Sequence, residues 1–230
     1  MFFPIDTTII YLIPAILLTI IAQGKVKSAY AKYSKILTKN RYTGYQVADQ
    51  LLKEQGIYDV DVELTSGHLS DHYDPLKKKV RLSREVYNGA SIASVSIAAH
   101  EVGHAIQHAQ GYSQLKLRNA IFPIAMFGSS MAWIFIVAGL FFAETGYTMM
   151  NIGIILFSAA VLFKVVTLPV EFNASSRAVK LLGSSGIIAS EERPGVKQML
   201  NAAALTYVAA MATAVAQLIR LIALRNRRHR

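Results

Sequence analysis

SIASVSIAAHEVGHAIQHAQ, residues 91–110, contains no proline, is rich in alanine and other apolar residues, and carries His100, Glu101 and His104 in the order His-Glu-x-x-His. That composition predicts one continuous helix. On a helix, positions i and i+4 share a face, so His100 and His104 can each direct a ring nitrogen at one metal ion. Glu101 lies on the neighbouring stripe, where its carboxylate reaches a metal-bound water rather than the metal, the position a general base needs. The five letters alone also fit a buried helix whose histidines only satisfy hydrogen bonds, so context decides.

The context is a membrane protein. The chain is 53% hydrophobic and 17% charged, and its apolar residues are gathered into long runs. The first run is Ile9 to Ala22, with a start as early as Phe2 and interruptions at Pro4 and Pro14. No Lys or Arg precedes it and no small-x-small cleavage site follows, so it reads as an uncleaved anchor rather than a secretory signal. Ala120 to Ala143 and Thr148 to Leu168 are each long enough to cross a hydrocarbon core of about 30 Å. Only Glu144-Thr-Gly-Tyr147 separates them, which forces an antiparallel hairpin, with Trp133 and Tyr147 suited to lipid or interface contact. A fourth run, Met199 to Leu224, is rich in Ala but includes Thr206, Tyr207, Thr213, Gln217 and Arg220. It reads as a fourth span, the competing reading being a long helix packed on the catalytic region.

Charge sets the expected orientation. Lys25, Lys27, Lys32, Lys35, Lys39 and Arg41 follow the first span, and Lys116 and Arg118 precede the second. That bias places residues 23–119 in the cytoplasm and the hairpin tip outside. The basic tail from Arg225 to Arg230, together with Arg220, opposes a fourth crossing unless the other basic loops dominate. The net charge of +10 is thus explained by anionic headgroups; no recognition motif accompanies it, which argues against nucleic-acid binding. The absence of cysteine removes disulfides and every cysteine-based metal site.

Within the polar stretch, Thr43 to Gly56 reads as a capped helix. Val60 to Leu64 and Lys79 to Ser83 alternate apolar and polar residues, with Gly67 and Asp74-Pro75 as turn signals between them, and predict a small β-hairpin or sheet. An exposed edge there could take an extended polypeptide as an added strand, although a purely structural sheet fits equally well.

A catalytic zinc site needs a third protein ligand. His108 continues the helical face but lies about 12 Å along the axis from His100, too far to share an ion with both histidines. His68, Asp71, His72 and Asp74 on the turn-rich segment remain open. Glu171 is the better candidate, because the hairpin returns the chain to the leaflet of Arg118, whereas Glu144 is a membrane's width away. A carboxylate at the bilayer boundary could otherwise be a solvated surface residue.

Glu171-Phe-Asn-Ala-Ser-Ser-Arg-Ala178 resembles the second motif of the gluzincin membrane proteases, the group of the HtpX heat-shock and CAAX prenyl proteases. The order of one anchor, His-Glu-Val-Gly-His-Ala-Ile-Gln107, a membrane hairpin and Glu-Phe-Asn-Ala-Ser175 is more closely similar to the bacterial YugP-like zinc metallopeptidases. Leu69-Ser-Asp-His-Tyr-Asp-Pro75, Val80-Arg-Leu-Ser83 and Leu200 to Val208 extend the likeness over nearly the whole chain. The resemblance implies one zinc ion per chain, held by His100, His104 and Glu171, with Glu101 as catalytic acid/base. It departs where the wider group often carries Asp four residues after the ligand Glu: this chain has Ser175, and close relatives have Asp where Asn173 stands. An outer carboxylate that orients a ligand histidine is therefore replaced or comes from elsewhere.

The expectation is a mainly α, polytopic membrane protein of the plasma membrane, with a small α+β zincin-like catalytic domain built around the His-Glu-x-x-His helix. Its parts are a transmembrane anchor over 1–24, a cytoplasmic catalytic region over 25–118, a transmembrane hairpin over 119–169, the second ligand motif and connecting segment over 170–198, and a C-terminal helix with basic tail over 199–230. The expected activity is hydrolysis of a membrane-associated polypeptide by zinc-bound water, with Tyr73, His72 and Arg177 as candidate oxyanion donors and Asn173, Ser175 and His108 as candidates for the outer shell. The alternative is a zinc-stabilised membrane scaffold that does not cut. A purely structural site would have no need of Glu101 and would close the fourth position with protein.

Overall fold

A computed structural model of the chain describes residues 7–142 and 145–228. Phe2, Pro4, Ala143, Glu144, His229 and Arg230, which entered the sequence reading, lie outside the described residues. The helices are α1 (Ile13–Tyr33, preceded by a 3-10 turn at Thr7–Leu12), α2 (Gly44–Glu54), α3 (Arg84–Tyr87), α4 (Ile92–Ala109), α5 (Ser113–Phe141), α6 (Gly146–Ser184) and α7 (Arg193–Arg228), with strands β1 (Asp61–Thr65), β2 (His72–Asp74) and β3 (Lys79–Ser83) between α2 and α3. The four longest helical segments are long and apolar enough to cross a membrane. This is a mainly α polytopic architecture with a small α+β part.

The chain divides into two compact units. The first combines Met1–Ala22, Lys116–Leu168 and Thr206–Arg230. In it, α5 and α6 form a close antiparallel pair that small residues permit: a Cβ on Gly128 would meet the Leu156 carbonyl at 2.8 Å, and one on Gly153 the Ala132 carbonyl at 2.9 Å. Ala132, Ile136, Ile154 and Leu221 are buried at its centre, while Ile16, Ile20, Phe127, Ile134 and Ile155 are exposed along the helices. An exterior this apolar suits lipid rather than water. The C-terminal segment of α7 runs to the hairpin-tip end of this unit, where Arg225 donates to Asn151 at 2.8 Å and lies 5.7 Å from the Tyr147 ring.

The second unit holds Gln23–Leu115 and Pro169–Leu205. Residues 193–205 of α7 belong here and its remainder to the first unit. Thr43 and Gln46 form a capping box that starts α2. The apolar face of α2, Val47, Ala48, Leu51 and Leu52, joins Val95, Ala98, Ala99, Val102 and Ile106 of α4 in one buried core.

The three strands form a sheet in the order β1-β3-β2. The two strands expected from the sequence are both present, but they run parallel, with Val62 opposite Val80 and Leu64 opposite Leu82, so they are no hairpin. The hairpin partner of β3 is instead β2, with Tyr73 opposite Val80. Alternation identifies a strand's buried face but not its direction, and three residues ending at Asp74-Pro75 carry too little pattern to stand out from a turn. The alternation is realised in β3, where Val80 and Leu82 are fully buried and Arg81 on the other face pairs with Asp74 at 2.8 Å, but not in β1, where Leu64 is exposed.

Leu82→Ala should cost about 2–5 kcal/mol of stability, read as a lower melting temperature of the purified protein in detergent. Leu76, 94% exposed, is the control, and Leu76→Ala should stay within about 0.5 kcal/mol of the parent.

Candidate metal centre

Helix α4 begins at Ser91, whose hydroxyl accepts from the Ser94 N–H at 3.1 Å, and is stopped after Gln110 by Gly111, which takes φ +62°. Its small residues let α6 approach closely: a Cβ on Gly103 would lie 2.8 Å from the Ala174 carbonyl oxygen and 3.2 Å from its Cα. The glycine between the two histidines is thus a packing requirement of the crossing. Its effect is to bring Glu171, one turn before Ala174, up to the two imidazoles.

Nε2 of His100 lies 3.3 Å from Oε2 of Glu171, and Nε2 of His104 lies 3.6 Å from the same oxygen. One ligand atom from each of the three residues falls within 4.8 Å of the others. Glu171 is 4% exposed, and its Oε2 has no hydrogen-bond partner. A buried carboxylate oxygen facing two imidazole nitrogens without a hydrogen bond is costly unless a cation sits among them. Two imidazoles and one carboxylate are a donor set that suits zinc and leaves a fourth position open. Burial works against the imidazolium of His104, yet the carboxylates of Glu171 and Glu101 outweigh it and hold the ring's pKa above its ordinary value. The pocket therefore favours positive charge. Glu101 is 8% exposed, directly after His100 on α4.

Behind the imidazoles lies a set of neutral partners. Ser175 Oγ is 3.1 Å from Nδ1 of His100. Gln107 donates from Nε2 to the Val170 carbonyl and to Asn173 Oδ1, both at 2.9 Å. Asn173 Oδ1 also accepts from Arg177 Nε at 2.7 Å, and Arg177 Nη1 donates to Gln110 at 2.8 Å. A backbone carbonyl can only accept and a guanidinium can only donate, so these two partners fix both amides. Gln107 must then turn Oε1 to Nδ1 of His104, 3.0 Å away. The proton of His104 accordingly sits on Nδ1 and its Nε2 lone pair faces Glu171. Gln107 entered the sequence reading only as the last letter of a motif, with no role given to it, although it stands three residues after His104 on the same helix face; in the fold it is fully buried. An amide at i+3 from a candidate ligand histidine was the signal available in the sequence.

Among the described residues, none of the other His, Asp or Glu candidates joins the cluster of three. The Tyr73 hydroxyl is 2.8 Å from Nδ1 of His108; burial, with Asp59 and Asp74 adding to it, pushes this phenol's pKa up to about 12. His72 is exposed on β2 and donates from Nδ1 to the Ser70 carbonyl at 2.8 Å. Asp74 accepts from Arg81 and from the Leu76 and Lys77 amides, which defines the β2–β3 turn. Asp71 accepts from the Ser83 amide at 2.7 Å and tethers the start of α3. The His68 ring packs edge-on against Tyr30 at 5.6 Å.

Spanning helices of this kind, joined to an α+β unit in which two helices bring His, His and Glu together, define a polytopic membrane metalloprotein. Residues 8–226 match the family model described as "Putative neutral zinc metallopeptidase". The chain is also 48% identical over 210 residues to a protein of Bacillus subtilis (strain 168) named "Putative membrane protease YugP", covering 91% of this chain and 92% of that protein. No solved structure matches. The chain belongs to the neutral zinc metallopeptidase family of membrane proteins.

Gly103→Ala should press a methyl into the α6 backbone and weaken zinc binding, whereas Gly24→Ala, which meets nothing within 4 Å, should leave it unchanged. Gln107→Met, of similar length, should lower zinc affinity by about 10–100-fold, measured by competition against a chromogenic chelator.

Proposed function

We propose that the protein is a zinc endopeptidase of the gluzincin type, in which His100, His104 and Glu171 hold one zinc ion per chain and Glu101 is the catalytic acid/base. The observation that carries this reading is the buried, hydrogen-bond-free Oε2 of Glu171 set against Nε2 of both histidines. When bound, zinc supplies Lewis acidity that lowers the pKa of water and polarises the scissile carbonyl.

The residues divide the remaining work. His104, with its proton on Nδ1, offers Nε2 as a donor, and Gln107 keeps the ring from turning. Ser175 does the same for His100. The Glu101 carboxylate takes the proton from the attacking water and passes it to the nitrogen of the departing amine, which would otherwise leave as an unstable anion. Tyr73 keeps its phenol proton across the physiological range, so its hydroxyl is available as a donor to the oxyanion; Arg177 is engaged by Asn173 and Gln110 and serves the histidine scaffold instead. The substrate is an extended polypeptide near the membrane, for which β2 offers a short edge strand. The excess of Lys and Arg flanking the first two spans supports the plasma membrane with the catalytic side in the cytoplasm.

Purified parent and Glu101→Gln proteins should bind zinc equally, while Glu101→Gln cleaves a peptide library roughly 10²–10⁴-fold more slowly. Retention of full cleavage with zinc bound would remove Glu101 from the mechanism, and absence of cleavage in the parent would favour a scaffold. Glu171→Gln should lose zinc; full stoichiometry and affinity in that variant would show that another residue is the third ligand.

A further inference from the structure

A groove of about 620 Å³ lies between the C-terminal turns of α1 and the N-terminal turns of α7, within the second unit. On α1 its wall is Lys25, Ser28 and Lys32, which fall on one helix face at i, i+3 and i+7. On α7 it is Gln198, Asn201 and Leu205, with the same spacing. The small side chains of Gly24, Ala29 and Ala202 leave the space between the helices open.

The charge of this groove is one-sided. No Asp or Glu lines it, and neither Lys25 nor Lys32 has a carboxylate partner among the described residues. The Lys32 ammonium rests 4.9 Å from the ring centre of Tyr33, which holds it at the groove's end. Tyr33 donates its hydroxyl proton to Oε1 of Gln198. With its acceptor occupied, Gln198 has its two N–H groups left to present. The polar wall is thus two ammonium groups with amide and hydroxyl donors, the chemistry that receives a phosphodiester. The rest is hydrocarbon, with Gly24 and Leu205 beside the points where α1 and α7 pass between the two units.

We propose that this groove is a binding site for an anionic glycerophospholipid of the surrounding bilayer. The headgroup phosphate sits between Lys25 and Lys32 and accepts from Gln198 and Asn201, while the glycerol and proximal acyl carbons lie on Ala29, Ala202 and Leu205. Basic pockets between membrane helices hold anionic headgroups in this way. The site differs from general attraction of basic residues to a membrane surface, because Lys27 and Lys35 of the same region lie outside the groove.

The test uses the full-length protein in a neutral detergent, titrated with fluorescent phosphatidylglycerol and, separately, fluorescent phosphatidylcholine. The parent should prefer phosphatidylglycerol. Lys25→Gln with Lys32→Gln should weaken that lipid by about tenfold and leave phosphatidylcholine unchanged. Lys27→Gln with Lys35→Gln, which removes the same charge, should behave as the parent. Ser28→Trp, a substitution at an exposed position that fills the groove without altering charge, should also abolish the preference; it tests the site should the lysine pair variant fail to fold, as checked by circular dichroism. Equal losses in both lysine pairs would overturn the proposal in favour of diffuse electrostatics. Unchanged binding in Ser28→Trp would place the lipid elsewhere, and displacement of the lipid by millimolar inorganic phosphate would make a free anion the ligand.

Discussion

The structure turns on the contact between α4 and α6 at Gly103 and Ala174. Helices that carry side chains at their crossing keep axes about 8–10 Å apart; here a Cβ at position 103 would already overlap the opposing backbone. This approach brings Oε2 of Glu171 within 3.6 Å of both imidazole nitrogens. It also allows Gln107 of α4 to reach the Val170 carbonyl of α6. Glycine between the two histidines is therefore as much a part of the site as the atoms that face the metal position.

Around this contact the second unit is arranged as support. The face of α4 that does not meet α6 is packed against α2 and the sheet through Leu51, Val80, Leu82 and Val95, all fully buried. A site that must hold three ligand atoms together needs side chains that cannot rotate away, and dense packing behind the helix provides that rigidity. The sheet contributes one apolar face to the core and presents a ladder of charge on the other, as shown by the Arg81–Asp74 pair.

Much of this was legible in the chain itself. Long apolar runs announce membrane helices because the bilayer sets both length and composition, and no tertiary knowledge is needed. His100 and His104 were legible because helical periodicity alone places them together. Glu171 lies far from them in sequence; its approach was argued from the return of a hairpin and from a resemblance, and the structure shows the contact that accomplishes it. What stayed hidden was decided by tertiary partners. The direction of β1 relative to β3 leaves no trace in an alternating pattern, and Gln107 reads as an ordinary polar residue until Val170 and Asn173 arrive from another helix. Ser175 shows the same effect: as a letter it marks a missing carboxylate, and in the fold it faces Nδ1 of His100.

The neutral partners behind the two histidines shape the electrostatics of the centre. Were zinc held by two neutral imidazoles and Glu171, with Glu101 alongside, the two carboxylates would balance the charge of the ion. A further buried carboxylate behind either histidine would leave that small volume negative, at a desolvation cost that only another cation could offset. Gln107 and Ser175 orient the rings without adding charge, and the nearest cation of this outer network, Arg177, meets the oxygen of Asn173 rather than a carboxylate. Neutral partners raise the basicity of a ligand imidazole less than a carboxylate does. A centre of this kind depends correspondingly more on geometry, which returns the burden of metal binding to the close crossing of α4 and α6 that holds the three donors in register.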